Sequence, residues 1–359
     1  MLIYLLLLLT VTLGVYLAQK ASGKVARSAL YFLAFALLVL VSGLRSSSVG
    51  TDVSGYVRRF EASAELVDVR SSGLEPGIPL LSWLAGRVTS DYAAFFTLVA
   101  IVVAAGFFLG FRKLSADPAI SVFVMLASGA YYFSFNGLRQ GVAVAVLFLA
   151  FGFIYYRKFW AFLACVAVAC SFHISAVMAL PVYFIVPRRN DFRYNALILL
   201  GVILATLFFS EFVTLAGRLN ERYLGYGVSV GRGAGLAYQA TTVALGVFFV
   251  AFRRGVREHR TLYDMLLNLY MLGVLVTLVA FARATFVSGV LRMNIYFTSS
   301  QILLWPVVFV NLRGYRHRGL VALAFAGFYV VYHATYLSRF SNLVPYELNP
   351  LVETWLPGF

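Results

Sequence analysis

An all-α, polytopic integral membrane fold follows from three features of this 359-residue sequence. Apolar runs recur along its length, many of them long enough to enter or cross a hydrocarbon core about 30 Å thick. Only 12% of the residues are charged against 62% hydrophobic, and the mean hydropathy is +0.87. The charge that remains is gathered in short basic clusters between the runs. A soluble domain cannot bury that much apolar surface, and the net charge of +15 is read as topology rather than as affinity for nucleic acid.

The runs fall at about residues 1–18, 28–43, 92–111, 119–134, 140–156, 159–171, 174–187, 195–212, 235–252, 262–281, 295–312 and 319–336. They predict about 12 transmembrane helices in a single transmembrane domain over residues 1–359. The first run resembles a signal h-region, but no basic segment precedes Leu2 and no small-x-small site follows Ala18, so it is expected to be retained as a helix. Cys165 and Cys170 share one apolar run at a spacing that suits neither a disulfide nor a metal, and they read as packing residues.

Between the runs stand Lys20, Lys24 and Arg27; Arg112 and Lys113; Arg157 and Lys158; Arg188, Arg189 and Arg193; Arg253, Arg254, Arg257 and Arg260; and Arg313, Arg316 and Arg318. These are seventeen of the 29 Lys and Arg, accompanied by only four of the 14 Asp and Glu. Placing the clusters in the cytoplasm makes every second loop internal and puts both termini outside. The expected external parts are loops 44–91, 135–139, 213–234 and 282–294 and a tail, 337–359. Within them Gly77 to Val88 reads as an interfacial helix and Glu221 to Arg232 as a gate. Both flanks of 158–188 are basic, so the chain must enter and return there, turning near Ser171 to Ser175. Irregular backbone at such depth has to line protein or a watery cavity.

Two polar islands interrupt the apolar sequence, Phe135-Asn136-Gly137-Leu138-Arg139-Gln140 and Ser171-Phe172-His173-Ile174-Ser175-Ala176. Ionisable groups at membrane depth are costly and mark function. The predicted outer side collects Arg45, Asp52, Tyr56, Arg58, Glu75, Asn136, Arg139, Gln140, His173, Arg283, Arg292, Asn294 and Tyr296. Guanidinium stays charged and binds phosphate oxygens bidentately, which suits a diphosphate at the membrane surface; the alternative for each arginine is a snorkelling anchor. Imidazole titrates near neutrality, so His173 can take a proton from a hydroxyl, or else it pins a helix break. His333 reads as structural. Asp52 and Glu75 can act as bases, as metal ligands, or as partners that position Arg45 and Arg58, and arginine pairing is favoured. No metal, cofactor or nucleic acid is expected.

The same residues carry a family resemblance. Gly50-Thr51-Asp52 with Tyr56 downstream of Arg45, Glu75-Pro76-Gly77, Asn136-Gly137-Leu138-Arg139-Gln140, Phe172-His173-Ile174-Ser175-Ala176, Arg292 with Tyr296, and Pro345-Tyr346 together resemble the EpsG family, which is similar in role to the Wzy O-antigen and exopolysaccharide polymerases. The resemblance implies a membrane glycosyltransferase, with a GT-C-like arrangement as one candidate. It would join undecaprenyl-diphosphate-linked oligosaccharides at the outer face of the bacterial inner membrane, with a chain-length regulator and a flippase as candidate partners. On this reading His173, Arg139 and Arg292 are catalytic, and Arg45, Asp52, Tyr56, Glu75, Asn136, Gln140, Arg283 and Tyr296 bind substrate. A flippase for lipid-linked sugars is the alternative. It would need charge on both sides of a central site, and no charge lies within 195–210 or 235–252. An O-acyltransferase would draw its donor from the cytoplasmic side, away from His173.

Overall fold

In the computed structural model, the described residues are 1–62, 75–186, 190, 192–208, 210–211, 214–215, 218, 235–282 and 289–350. They are almost wholly helical, with no strand among them beyond an isolated bridge between Arg45 and Leu348. The chain forms two compact units, one of Met1–Leu180 with Leu312–Phe359 and the other of Pro181–Asn311.

In the first unit α1 (Leu2–Lys20) and α2 (Lys24–Gly43) form a hairpin, followed by α3 (Val53–Ala62), α4 (Gly77–Gly86) and α5 (Tyr92–Leu114). Next come α6 (Pro118–Ala127), the single turn α7 (Phe133–Asn136), α8 (Leu138–Tyr155), α9 (Phe159–Phe172) and a 3-10 stretch, Ile174–Ala179. Helix starts are capped by carboxylates: Asp91 accepts the Ala93 N–H at 2.9 Å, and Asp117 accepts those of Ala119 and Ile120 at 3.1 and 3.4 Å. Such caps satisfy donors that lipid cannot. α5 and α8 approach closely because Gly106 and Gly110 face Ala145 and Phe148, where a Cβ would lie 2.6 Å from the Ala145 carbonyl oxygen and 2.5 Å from the Phe148 ring. Small residues four apart are the usual means of bringing membrane helices together.

The second unit contains α10 (Val182–Ile185), α11 (Phe192–Leu207), α12 (Leu236–Phe252), α13 (Arg260–Ala282), α14 (Gly289–Arg292), α15 (Ile295–Thr298) and α16 (Gln301–Asn311). α13 is its axis, packing on α11, α12, α15 and α16, while Phe248 stacks on Trp305 with ring centroids 5.2 Å apart. At one end Arg253 holds buried Asp264 through two hydrogen bonds of 2.6 and 2.9 Å. The last helix, α17 (Arg318–Thr335), returns to the first unit and packs on α6.

Among the described residues, seven helices are long and apolar enough to cross a membrane: α1, α2, α5, α8, α12, α13 and α17. The other five predicted runs are occupied by shorter or broken helices. At 14 residues, α9 is only about 21 Å long, short of a 30 Å core. The predicted run 119–134 breaks after Ala127, and 295–312 breaks between α15 and α16.

The two ends of the first unit differ in chemistry. At one end Gln19 donates to Asp117 at 3.2 Å and the Tyr156 hydroxyl donates to the Lys113 carbonyl at 3.3 Å, among the basic clusters. At the other, which we call the head, residues 341–349 lie back across residues 41–52. The Tyr4 hydroxyl donates to the Leu343 carbonyl at 2.8 Å, Tyr346 to Val41 at 3.0 Å, the Ser46 amide to Glu347 at 2.8 Å and the Asn349 amide to Leu44 at 2.8 Å.

Candidate functional site

The polar islands meet at the head through a residue of neither. α9 ends at Phe172, where the His173 amide still donates to the Ala169 carbonyl at 2.9 Å, and His173 itself is extended at φ −155° and ψ 112°. The next amide, Ile174 N–H, has lost its helical partner and donates to Glu75 Oε1 at 3.2 Å. The same oxygen stands 3.4 Å from His173 Nδ1. Oε2 accepts from Arg139 Nη1 at 2.7 Å, at the first turn of α8. One carboxylate thus divides its two oxygens between the arginine and the histidine.

Local sequence explains the approach. Pro76 precedes α4, and Gly77 presses on the end of α9, where an added Cβ would lie 2.7 Å from the Phe172 ring and 2.8 Å from the Ser171 carbonyl oxygen. The glycine lets α4 touch backbone, which carries Glu75 to the helix break. The three side chains are partly open, 17% exposed for Glu75, 19% for His173 and 27% for Arg139.

Burial acts to raise the Glu75 pKa, but His173, the Ile174 amide and Arg139 outweigh it and bring it down from 4.5 to about 2. The carboxylate is therefore anionic at physiological pH. Tyr56, on α3, accepts a hydrogen bond from Arg139; burial pushes its pKa up, and the guanidinium opposes the rise. Asp52 is exposed and accepts from the Thr51 hydroxyl at 3.1 Å. Asn136 is a bridge: its side-chain oxygen accepts the Thr51 amide at 2.9 Å, and its NH₂ donates to the Ser341 carbonyl at 2.6 Å. Gln140 is buried in the first turn of α8.

Arg45 lies elsewhere in the head. It is 1% exposed, donates to the Ser42 carbonyl and to its hydroxyl, and is sandwiched between Phe96 and Phe135 at 4.3 and 4.4 Å. Glu75 was expected to pair with Arg45 or Arg58; its arginine partner is Arg139. Arg292 and Tyr296 belong to the second unit, where Arg292 is exposed and Tyr296 is buried. Asn294 is enclosed there, donating to Thr277 at 3.0 Å and accepting from Tyr238 at 2.9 Å. Arg283 and the expected gate, Glu221 to Arg232, lie outside the described residues. His333 is fully buried, its ring 5.5 Å from that of Tyr132.

The structure thus brings Tyr56, Glu75, Arg139 and His173 together, while Thr51 joins Asp52 to Asn136. Sequence reasoning missed Ser341, whose contribution is a backbone carbonyl with no side-chain signature, and took Thr51 only as part of the Gly50-Thr51-Asp52 motif. No curated protein and no solved structure matches the chain. The EpsG family model matches residues 28–348, most of the 359. That span includes every member of the cluster, and the chain belongs to the EpsG family.

Proposed function

We propose that this protein joins oligosaccharide units carried on undecaprenyl diphosphate, at the outer face of the bacterial cytoplasmic membrane. At the level of its family it is a Wzy-like polysaccharide polymerase, and its helices are those of a multi-pass membrane protein. The observation that supports the finer reading is the convergence of Arg139 and His173 on one carboxylate, at the end of the first unit opposite its basic clusters.

A guanidinium has five N–H donors, so contacts to Glu75 and Tyr56 leave donors for phosphate oxygens. In the proposed step the acceptor hydroxyl gives its proton to His173 as its oxygen bonds to the anomeric carbon of the donor. The bond from that carbon to the phosphate oxygen breaks, and lipid diphosphate leaves with the electron pair. Attack opposite the leaving group inverts the anomeric centre. Arg139 stabilises the charge gathering on the diphosphate, a contribution that grows toward the transition state. The five remaining apolar runs are read as completing twelve crossings with both termini outside.

Purified protein mixed with synthetic undecaprenyl-diphosphate oligosaccharide should produce a ladder of products. Arg139→Ala and His173→Ala should each abolish it while leaving the protein in the membrane. Transport of the lipid by intact protein with no ladder would overturn the polymerase reading, and ladders from both variants would overturn the site.

A further inference from the structure

We propose that Glu75 is the positioning residue of this site: one carboxylate fixes both the phosphate-binding arginine and the proton-accepting histidine in their working orientations. This rests on the polymerase reading for the roles of Arg139 and His173, but the pairing itself stands on geometry. Oε1 faces His173 Nδ1 at 3.4 Å and Oε2 accepts from Arg139 Nη1 at 2.7 Å. An anion beside Nδ1 favours the tautomer with its proton on that nitrogen, which leaves the Nε2 lone pair to accept a proton from a hydroxyl. When Nε2 takes that proton, the imidazolium formed is next to a carboxylate, so the charge created by the step is met where it appears. The Arg139 contact has a second effect. It holds a long, flexible side chain in one direction before substrate arrives, so less rotamer entropy is lost on binding phosphate.

The competing role for Glu75 is that of a cap on the helix break, since it also accepts the Ile174 amide at 3.2 Å. Glu75→Gln separates the two roles, because an amide oxygen can still accept from Ile174 while the charge is gone. With the lipid-linked oligosaccharide as substrate, Glu75→Gln should lower kcat by at least about a hundredfold, the scale of a lost acid–base contribution. KM should change by less than kcat, rising only through the rotamer entropy that Arg139 then loses on binding phosphate. A second readout needs no activity: in purified protein, phenylglyoxal should modify Arg139 severalfold faster in Glu75→Gln, followed by peptide mass spectrometry.

A variant with kcat near wild type would overturn the positioning role while leaving the polymerase reading intact. An unchanged Arg139 modification rate would overturn it independently. Wild-type protein that builds no polymer, but shows the Arg139 change, would instead sink the polymerase reading and keep the pairing.

Discussion

Arg45 and Arg139 look alike in the sequence, each a cation beside an apolar helix at the head, yet the fold makes them opposites. Arg45 is held by the Ser42 oxygens and two aromatic rings; burial brings its pKa down to about 10, eased by the phenols of Tyr131, Tyr346, Tyr4 and Tyr92, so it remains charged. Its planar group is held by two rings, a contact worth about 2 kcal/mol when desolvated. Arg45→Lys keeps the charge and loses the stacking plane, so it should lower the thermal midpoint of the purified protein. Arg139→Lys keeps a cation beside Glu75 and should shift the midpoint less than Arg45→Lys while lowering activity; equal midpoint shifts for the two variants would contradict the distinction. Glu75 adds a pH signature. Its folded pKa is depressed from 4.5 to about 2, so its stabilisation is complete above pH 4.5 and is lost as pH falls from there to about 2. Thermal melts in detergent should show wild type losing more stability over that window than Glu75→Gln. Above pH 5 the carboxylate stays ionised, so any acid limb of activity there belongs to another group.

At the scale of the element, the contact of α4 with the end of α9 decides whether the site exists. Gly77 has no room for a methyl group, whereas nothing lies within 4 Å of a Cβ built on Gly86 at the far end of the same helix. Gly77→Val should therefore cut polymer formation by tenfold or more, through displaced Glu75, with normal membrane insertion. Gly86→Ala should be neutral in the same assay, and similar activities for the two would show that the contact is not needed. The polar islands and the turn at His173 were legible because polar residues at membrane depth stand out against apolar runs. The partner of Arg139 was not, since Glu75 is 64 residues from Arg139 and 99 from Ile174, and charge type alone could not choose among arginines. The break after Ala127 was equally hidden, because Gly129, Ala130, Tyr131 and Tyr132 continue the apolar composition through it.

At the scale of the molecule, hydropathy located all seven long helices among the described residues, since an apolar run of that length has few other destinations. It could not show the division into two units, because the boundaries at Pro181 and Asn311 fall within predicted runs rather than in polar linkers. The basic clusters predict a sidedness that can be checked directly. In a background lacking Cys165 and Cys170, a cysteine at Ser54 should react with an impermeant maleimide added to intact cells. One at Gly314, among the basic residues, should react only after lysis; the reverse pattern would invert the topology.

The strap of residues 341–349 also governs the order of assembly. Translation delivers residues 44–52 and Asn136 long before Ser341, Leu343, Glu347 and Asn349, the residues they or Tyr4 finally bond. Until α17 has inserted, Asn136 can hold Thr51 but not Ser341, and Ser46 and Leu44 have no strap to pair with. The head of the first unit is therefore finished last, only after α17 is in place.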